Sequence, residues 1–175
     1  PAAQDGDILV MQVVGSLLDG TEIVNTSLQG TPAIAIYGRD QLLPGWEEGI
    51  SMMKAGGRTQ FILPPDLAFG EEGYGIIPPS SEIFLDVELI SVEPAPLPAE
   101  VDADELTATD SGLQYADIIE GEGDAAETGN TVTTQYTIWV QDEAEDIYIA
   151  SSKFGQPVTF SIGAGGVVFP GWEEG

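Results

Sequence analysis

Few side chains in this sequence are of the types that usually carry chemistry. Histidine and cysteine are both absent. That excludes thiolate nucleophiles, serine–histidine dyads, disulfides and the usual zinc sites together, and any reaction here runs without the commonest acid–base group. Carboxylates are abundant instead, with 30 Asp and Glu against 4 Lys and Arg and a formal net charge of -26. The densest run, Asp142-Glu143-Ala144-Glu145-Asp146, lacks the central glycine and the ligand spacing of a calcium loop. It reads as a solvated loop, and no metal site or cofactor is expected.

The residue type left with binding chemistry is tryptophan, which the chain sets twice in one frame. Pro44-Gly45-Trp46-Glu47-Glu48-Gly49 recurs as Pro170-Gly171-Trp172-Glu173-Glu174-Gly175. Upstream, Gly30-Thr31-Pro32 answers to Gly155-Gln156-Pro157, Tyr37-Gly38 to Ile162-Gly163, and Asp5-Gly6-Asp7 to Thr128-Gly129-Asn130. Small insertions near 142–146 and near Gly165-Gly166 account for the drifting offset. A repeat this long indicates tandem domains rather than a solenoid. The proline-alternating stretch from Pro94 to Pro98, followed by acidic residues, reads as a semi-rigid linker. The expected division is a first copy at 1–93, a linker at 94–110 and a second copy at 111–175.

The elements that would position Trp46 are mostly strands. A β-branched-rich run at 8–14 leads to the turn signal Asp19-Gly20, and further strands are expected at 59–63 and 83–92. In the last, Ile83, Leu85, Val87 and Leu89 share one face while Asp86 and Glu88 share the other. One short helix is expected at 46–54, with Pro44 just before it, acids in its first turn and Gly56-Gly57 ending it. An antiparallel sheet with one short helix laid against it makes an α+β fold.

The run Leu43-Pro44-Gly45-Trp46-Glu47-Glu48-Gly49-Ile50, continued by Met53-Lys54-Ala55-Gly56-Gly57-Arg58, resembles the helix-start motif of FKBP-type peptidyl-prolyl isomerases. Pro64-Pro65-Asp66-Leu67-Ala68-Phe69-Gly70, Gly75-Ile76-Ile77-Pro78-Pro79 and Phe84-Leu85-Asp86-Val87-Glu88-Leu89-Ile90 extend the resemblance over residues 5–93. The second copy matches from Ser111-Gly112-Leu113-Gln114-Tyr115 through Gln135-Tyr136-Thr137 to Gly171-Trp172. The resemblance implies a twisted antiparallel sheet wrapped around the short helix, in tandem. Trp46 would floor an apolar pocket for a proline ring, walled by Ile23, Leu42, Leu43, Phe69, Ile76, Ile77 and Leu85. The Leu43 N–H would hold a peptide carbonyl, and Tyr136 and Trp172 would serve the second copy. The implied activity is peptidyl-prolyl cis–trans isomerisation of proline-containing peptides or client proteins, without a cofactor.

The sequence also departs from that pattern. The family's strand tyrosine reads Val13, its rim Phe-Asp pair reads Ile23-Val24, an aromatic wall residue reads Ala33 and the loop tyrosine reads Phe69. The second copy keeps a tyrosine at Tyr136 and places Ile149 or Ala150 where the rim aspartate would be. The alternative reading is therefore a non-catalytic module for protein binding or multi-domain assembly. The family's opening strand, like residues 113–119, has no counterpart before Asp5, so it is either missing or supplied elsewhere. Residues 111–175 hold only the N-terminal part of a copy, and one route to completing them is strand donation by another chain. The acidic balance argues against nucleic acid, and no apolar run approaches the roughly 18 residues of a membrane span. No leader of basic then apolar residues is visible. The acidic surface and tandem arrangement favour an extracytoplasmic or secreted location over a cytoplasmic one.

Overall fold

The ten residues Ile8–Leu17 form a mostly apolar strand, β1, and the rest of the N-terminal unit is arranged around it. The computed structural model describes residues 2–141, 146–165 and 170–172. The acidic run at 142–145, Gly166 and the repeat's closing Glu173-Glu174-Gly175 lie outside the described residues. The chain divides into two units, Pro1–Ala95 and Pro96–Gly175, with the division inside the proline-alternating stretch.

In the first unit β1 is paired along both edges. One edge meets β2 (Glu22–Asn25) near its end and β3 (Ala33–Ile36) near its start. The other edge runs against the last strand of the unit, Ile83–Glu93, from Ile8↔Glu93 to Leu17↔Ile83. Gly57–Leu63 adds outside that last strand. Numbering these two strands in chain order as β4 (Gly57–Leu63) and β5 (Ile83–Glu93), the sheet reads β2-β1-β5-β4, with β3 also on β1 and every pair antiparallel.

Side-chain alternation explains the packing. Leu9, Met11, Val13 and Leu17 of β1 are buried, as are Ile83, Leu85, Val87 and Leu89 of β5, and together they form the core. Asp86 and Glu88 fall on the other face, as the period of two requires. Burying such an aliphatic side chain contributes about 1.5–3 kcal/mol, so these two strands carry most of the sheet's stability. At the end of β1, Gly20 takes a φ of 89° and the Asp19 carboxylate accepts the Thr21 N–H at 2.9 Å. That backbone hydrogen bond holds the Asp19 carboxyl below the usual carboxylate range.

Three short elements are not apparent from periodicity: β2, β3 and a one-turn helix between them, α1 (Thr26–Gln29). The side chain of Asn25 caps α1 by accepting the Leu28 N–H at 3.2 Å. Thr26 is buried, and its hydroxyl accepts the Val13 N–H at 2.8 Å and lies 2.6 Å from Oε1 of Gln12. The main helix, α2, spans Pro44–Ser51 rather than 46–54. Pro44 enters at its first turn because its missing N–H would have had no partner there. At the other end Met52 and Met53 donate to Gly49 and Ile50, and Gly56 donates to Leu89 at 2.7 Å, which draws the chain off into β4.

The second unit is made of separate two-stranded ladders. Thr107–Ala108 (β6) pairs Gln114–Tyr115 (β7), so the end of the expected linker is paired and only two residues of the 113–119 segment are in a strand. Thr131–Thr134 (β8) pairs Val158–Ser161 (β11), and Thr137–Gln141 (β9) pairs Asp146–Ser151 (β10). Among the described residues Tyr148 is the one buried hydrophobic side chain of this unit, and its phenol is pushed up chiefly by burial. Ile118, Ile119, Val140 and Ile149 are exposed.

Candidate active site

The entry to α2 is the natural place to build a site, because two loops converge on it. Leu43 precedes the helix in an extended conformation (φ -62°, ψ 146°). Its carbonyl accepts the N–H groups of Trp46 and Glu47 at 2.9 and 3.0 Å, while its own N–H has no backbone acceptor among the described residues. The loop before it is pinned at both ends. Gln41 accepts the Ile36 N–H at 2.8 Å, and Glu47 accepts the Gly38 N–H at 3.3 Å. Leu42 and Leu43 are thereby held half-buried against the core beside Trp46.

The opposing wall comes from the long connection between β4 and β5. A single 3-10 turn, Pro65–Leu67, is closed by Ala68 and Gly70 donating to Pro65, and it delivers Phe69 onto the core. Further on, Tyr74 and Ile77 exchange backbone hydrogen bonds at 3.0 and 2.9 Å. This turn separates two adjacent isoleucines: Ile77 is 5% exposed and packs inside, whereas Ile76 is 66% exposed. Ile23 from β2 and Leu85 from β5 complete the set. Of the residues expected to surround a proline ring, Ile77 and Leu85 belong to the buried core of the unit, Ile23, Leu42, Leu43, Trp46 and Phe69 pack partly buried against that core, and Ile76 is exposed.

Two features of this cluster bear on binding. Trp46, expected as the floor, carries an unsatisfied donor, since its Nε1 is buried without a partner among the described residues. Such a group costs about 1–3 kcal/mol. The wall carries a stacked ring that the sequence does not reveal, with Tyr74 lying on Phe69 at 5.8 Å between centroids and 13° between planes. The residues that lack polar atoms are equally informative. Val13, Ile23, Val24 and Phe69 give the cluster no side-chain hydrogen-bonding group of their own.

A separate groove of about 320 Å³ runs between α2 and β4, lined by Gly45, Gly49, Met52, Phe61, Ile62 and Leu67 among others. None of the expected wall residues lines it. In the second unit Tyr136 and Trp172 meet edge to face, with centroids 5.2 Å apart and planes at 80°. They line a cavity of about 250 Å³ with Thr137 and Ile138. No group of three or more metal-ligating side chains is gathered among the described residues, and no helix among them is long and apolar enough to cross a membrane.

Comparison with known proteins finds relatives of the first unit. The model of a family described as FKBP-type peptidyl-prolyl cis-trans isomerase matches residues 1–90. The FKBP-type peptidyl-prolyl cis-trans isomerase FkpA of Escherichia coli (strain K12) is 41% identical over 95 residues, which is 54% of this chain and 34% of that protein. The chain thus spans about a third of the length of that relative. Peptidyl-prolyl cis-trans isomerase FKBP1A of Xenopus laevis is 38% identical over 89 residues, covering 50% of this chain and 82% of the relative. The crystal structure of FkpA from Escherichia coli superposes with a TM-score of 0.51 at 41% identity, over 54% of this chain and 44% of that one.

Proposed function

The chain belongs to the FKBP-type peptidyl-prolyl cis-trans isomerase family, and from that premise we propose that the Trp46 cluster of the first unit accelerates rotation about X-Pro bonds in protein chains. The observation that carries the reading is that Leu42, Leu43, Trp46 and Phe69 all pack partly buried against the core that holds Ile77, with Leu43 and Trp46 at the head of α2. With them lies a Leu43 N–H that has no backbone acceptor.

Rotation of a peptide bond meets a barrier of about 18–20 kcal/mol because the planar amide is resonance-stabilised. The twisted transition state loses that resonance and is less dipolar than the planar form. An apolar surround therefore favours it over the ground state, which is the differential binding that catalysis requires. The proline ring would rest against Trp46 between Phe69 and Ile77. The Leu43 N–H would hold a carbonyl of the peptide so that the amide turns against a fixed point. No proton moves and no covalent intermediate forms, so the lack of histidine and cysteine is no obstacle. A roughly thousandfold acceleration needs only about 4 kcal/mol of differential stabilisation.

A second reading, a non-catalytic module for protein binding or assembly, is favoured by the apolar residues at Val13, Ile23, Val24 and Phe69. The exposed Ile118, Ile119, Val140 and Ile149 of the second unit fit the same reading through self-association. A concentration-dependent mass in sedimentation would report it. In organisation, we assign the first copy to residues 1–93, the linker to 94–110 and the second copy to 111–175, with Tyr136 and Trp172 as the counterpart binding pair. An extracytoplasmic setting is proposed on the acidic composition.

The deciding experiment is a proline-isomerisation assay on the chain and its Trp46→Ala variant, with circular dichroism to confirm folding. Acceleration abolished by Trp46→Ala supports the enzyme. A folded wild-type chain without acceleration leaves the binding module.

A further inference from the structure

The residues proposed to wall the cleft are apolar, so its donors are few, the Leu43 N–H of the backbone being one without a backbone acceptor among the described residues. A bound X-Pro segment brings carbonyl groups that lose water on entry, and each such group left without a donor weakens binding. The structure lays one hydroxyl-bearing ring on the wall. Tyr74 stacks on Phe69 nearly in parallel, at 5.8 Å and 13°, and 73% of the residue is exposed. One face of the ring rests on the wall while the rest of the side chain meets water.

The stack is held by the backbone as well as by the rings. The reciprocal hydrogen bonds between Tyr74 and Ile77 tie the residue to a buried wall position. Ahead of it, Gly73 has a φ of 71°, and a Cβ there would collide with the Ile77 carbonyl oxygen. Only glycine fits that turn, so the placement of Tyr74 relative to Ile77 is built into the loop. A tyrosine fixed in this way loses little freedom on contacting a ligand, and it offers an apolar face with a polar tip.

We propose that Tyr74 contacts substrate in the cleft, with its ring extending the wall that Phe69 begins and its hydroxyl donating to a carbonyl of the bound X-Pro segment. The inference rests on the isomerase reading of the same site. It assigns the cleft's missing polar contact to a residue that stands beside the wall rather than within it.

The test uses the full chain and a Leu-Pro tetrapeptide. It compares kcat/KM for wild type, Tyr74→Phe, Tyr74→Ala and the Tyr74→Phe, Phe69→Tyr double variant. Loss of one neutral hydrogen bond predicts a fall of about three- to tenfold for Tyr74→Phe. Tyr74→Ala falls further because it also loses the ring. The double variant recovers part of the loss, since it returns a hydroxyl to the same wall. An active wild type with Tyr74→Phe at the same rate overturns the inference alone, even if Tyr74→Ala is slow, because the ring then serves only as packing surface. If wild type binds the tetrapeptide without turnover, Kd replaces kcat/KM with the same expected loss. If it neither binds nor turns over, the isomerase reading and the inference fall together.

Discussion

Arg58 grips Asp86 across the β4–β5 ladder with two hydrogen bonds, Nε to Oδ1 at 2.6 Å and Nη2 to Oδ2 at 3.1 Å. The Gln60 side chain donates to Oδ2 at 2.9 Å. Hydrogen bonds from Arg58, then from Gln60, hold the Asp86 carboxyl below the usual carboxylate range. A depressed folded-state value means that the pair contributes stability above the unfolded carboxylate value of about 3.9. The contribution disappears as pH falls through the folded value. Asp86→Asn should therefore lower the melting temperature at pH 7. Its deficit against wild type should shrink as pH drops below about 4. A deficit that stays constant across that window would show that the charge is not what stabilises the ladder.

The hydroxyl of Thr26 fills a structural role that its neighbours in sequence do not announce. It accepts the buried Val13 N–H at 2.8 Å. Thr26→Val keeps the shape and strands that donor, so it should cost about 1–3 kcal/mol. Thr26→Ser should cost far less. Urea melts of the two variants compare them directly, and equal midpoints would remove the hydroxyl from the account.

Gly45 and Gly49 let α2 press against β4 and the turn beyond it. A Cβ at Gly45 would lie 2.9 Å from side-chain atoms of Leu63 and Leu67 and 3.2 Å from the Leu67 carbonyl. At Gly49 it would meet the edge of the Phe61 ring at 2.8 Å. A ring edge can swing away, but a backbone carbonyl cannot. Gly45→Ala should then destabilise by about 1–3 kcal/mol. Gly49→Ala should cost less, because overpacking is partly offset by about 1 kcal/mol of helix propensity. Thermal denaturation ranks the two, and the reverse order would sink the argument.

A chain with a formal net charge of -26 also selects its ligands at a distance. Of its four basic residues, Arg58 is engaged with Asp86 and Arg39 lies 3.7 Å from Asp5. Leu-Pro peptides flanked by lysine should associate faster than glutamate-flanked ones, by about tenfold at low salt. The gap should close as the ionic strength approaches 1 M. Stopped-flow tryptophan fluorescence reads this, and equal rates at low salt would show that the cleft is shielded from the chain's field.

The parts of this fold legible in the sequence are those where a repeating pattern meets one uniform environment. The alternation of Ile83, Leu85, Val87 and Leu89 against Asp86 and Glu88 marks which face of β5 is buried. Pro44 ahead of Trp46 marked the start of α2 to within two residues. Elements of four residues carry too few periods to register, which is why β2, α1 and β3 stayed hidden. The proposed site is readable in the sequence as a set of residue types and not as a geometry. Ile76 and Ile77 are chemically identical neighbours, and only the turn that Gly73 permits decides which one faces inward. The stack of Tyr74 on Phe69 depends on the same turn, so it too was invisible to pattern.

The pairing of β1 with β5 also sets a timetable for assembly. The strand paired along both of its own edges is the first of this unit's strands to be made, and Ile8 faces Glu93 in the last. During synthesis β1 can form its hairpin with β2, yet its longest ladder must wait until the whole first unit has left the ribosome. Until then Met11 and Val13 have lost their principal cover. The contacts that stabilise this unit most are therefore the ones that arrive last. Proteins dominated by such distant pairings fold slowly, so the nascent chain has a long exposure before the cleft exists at all.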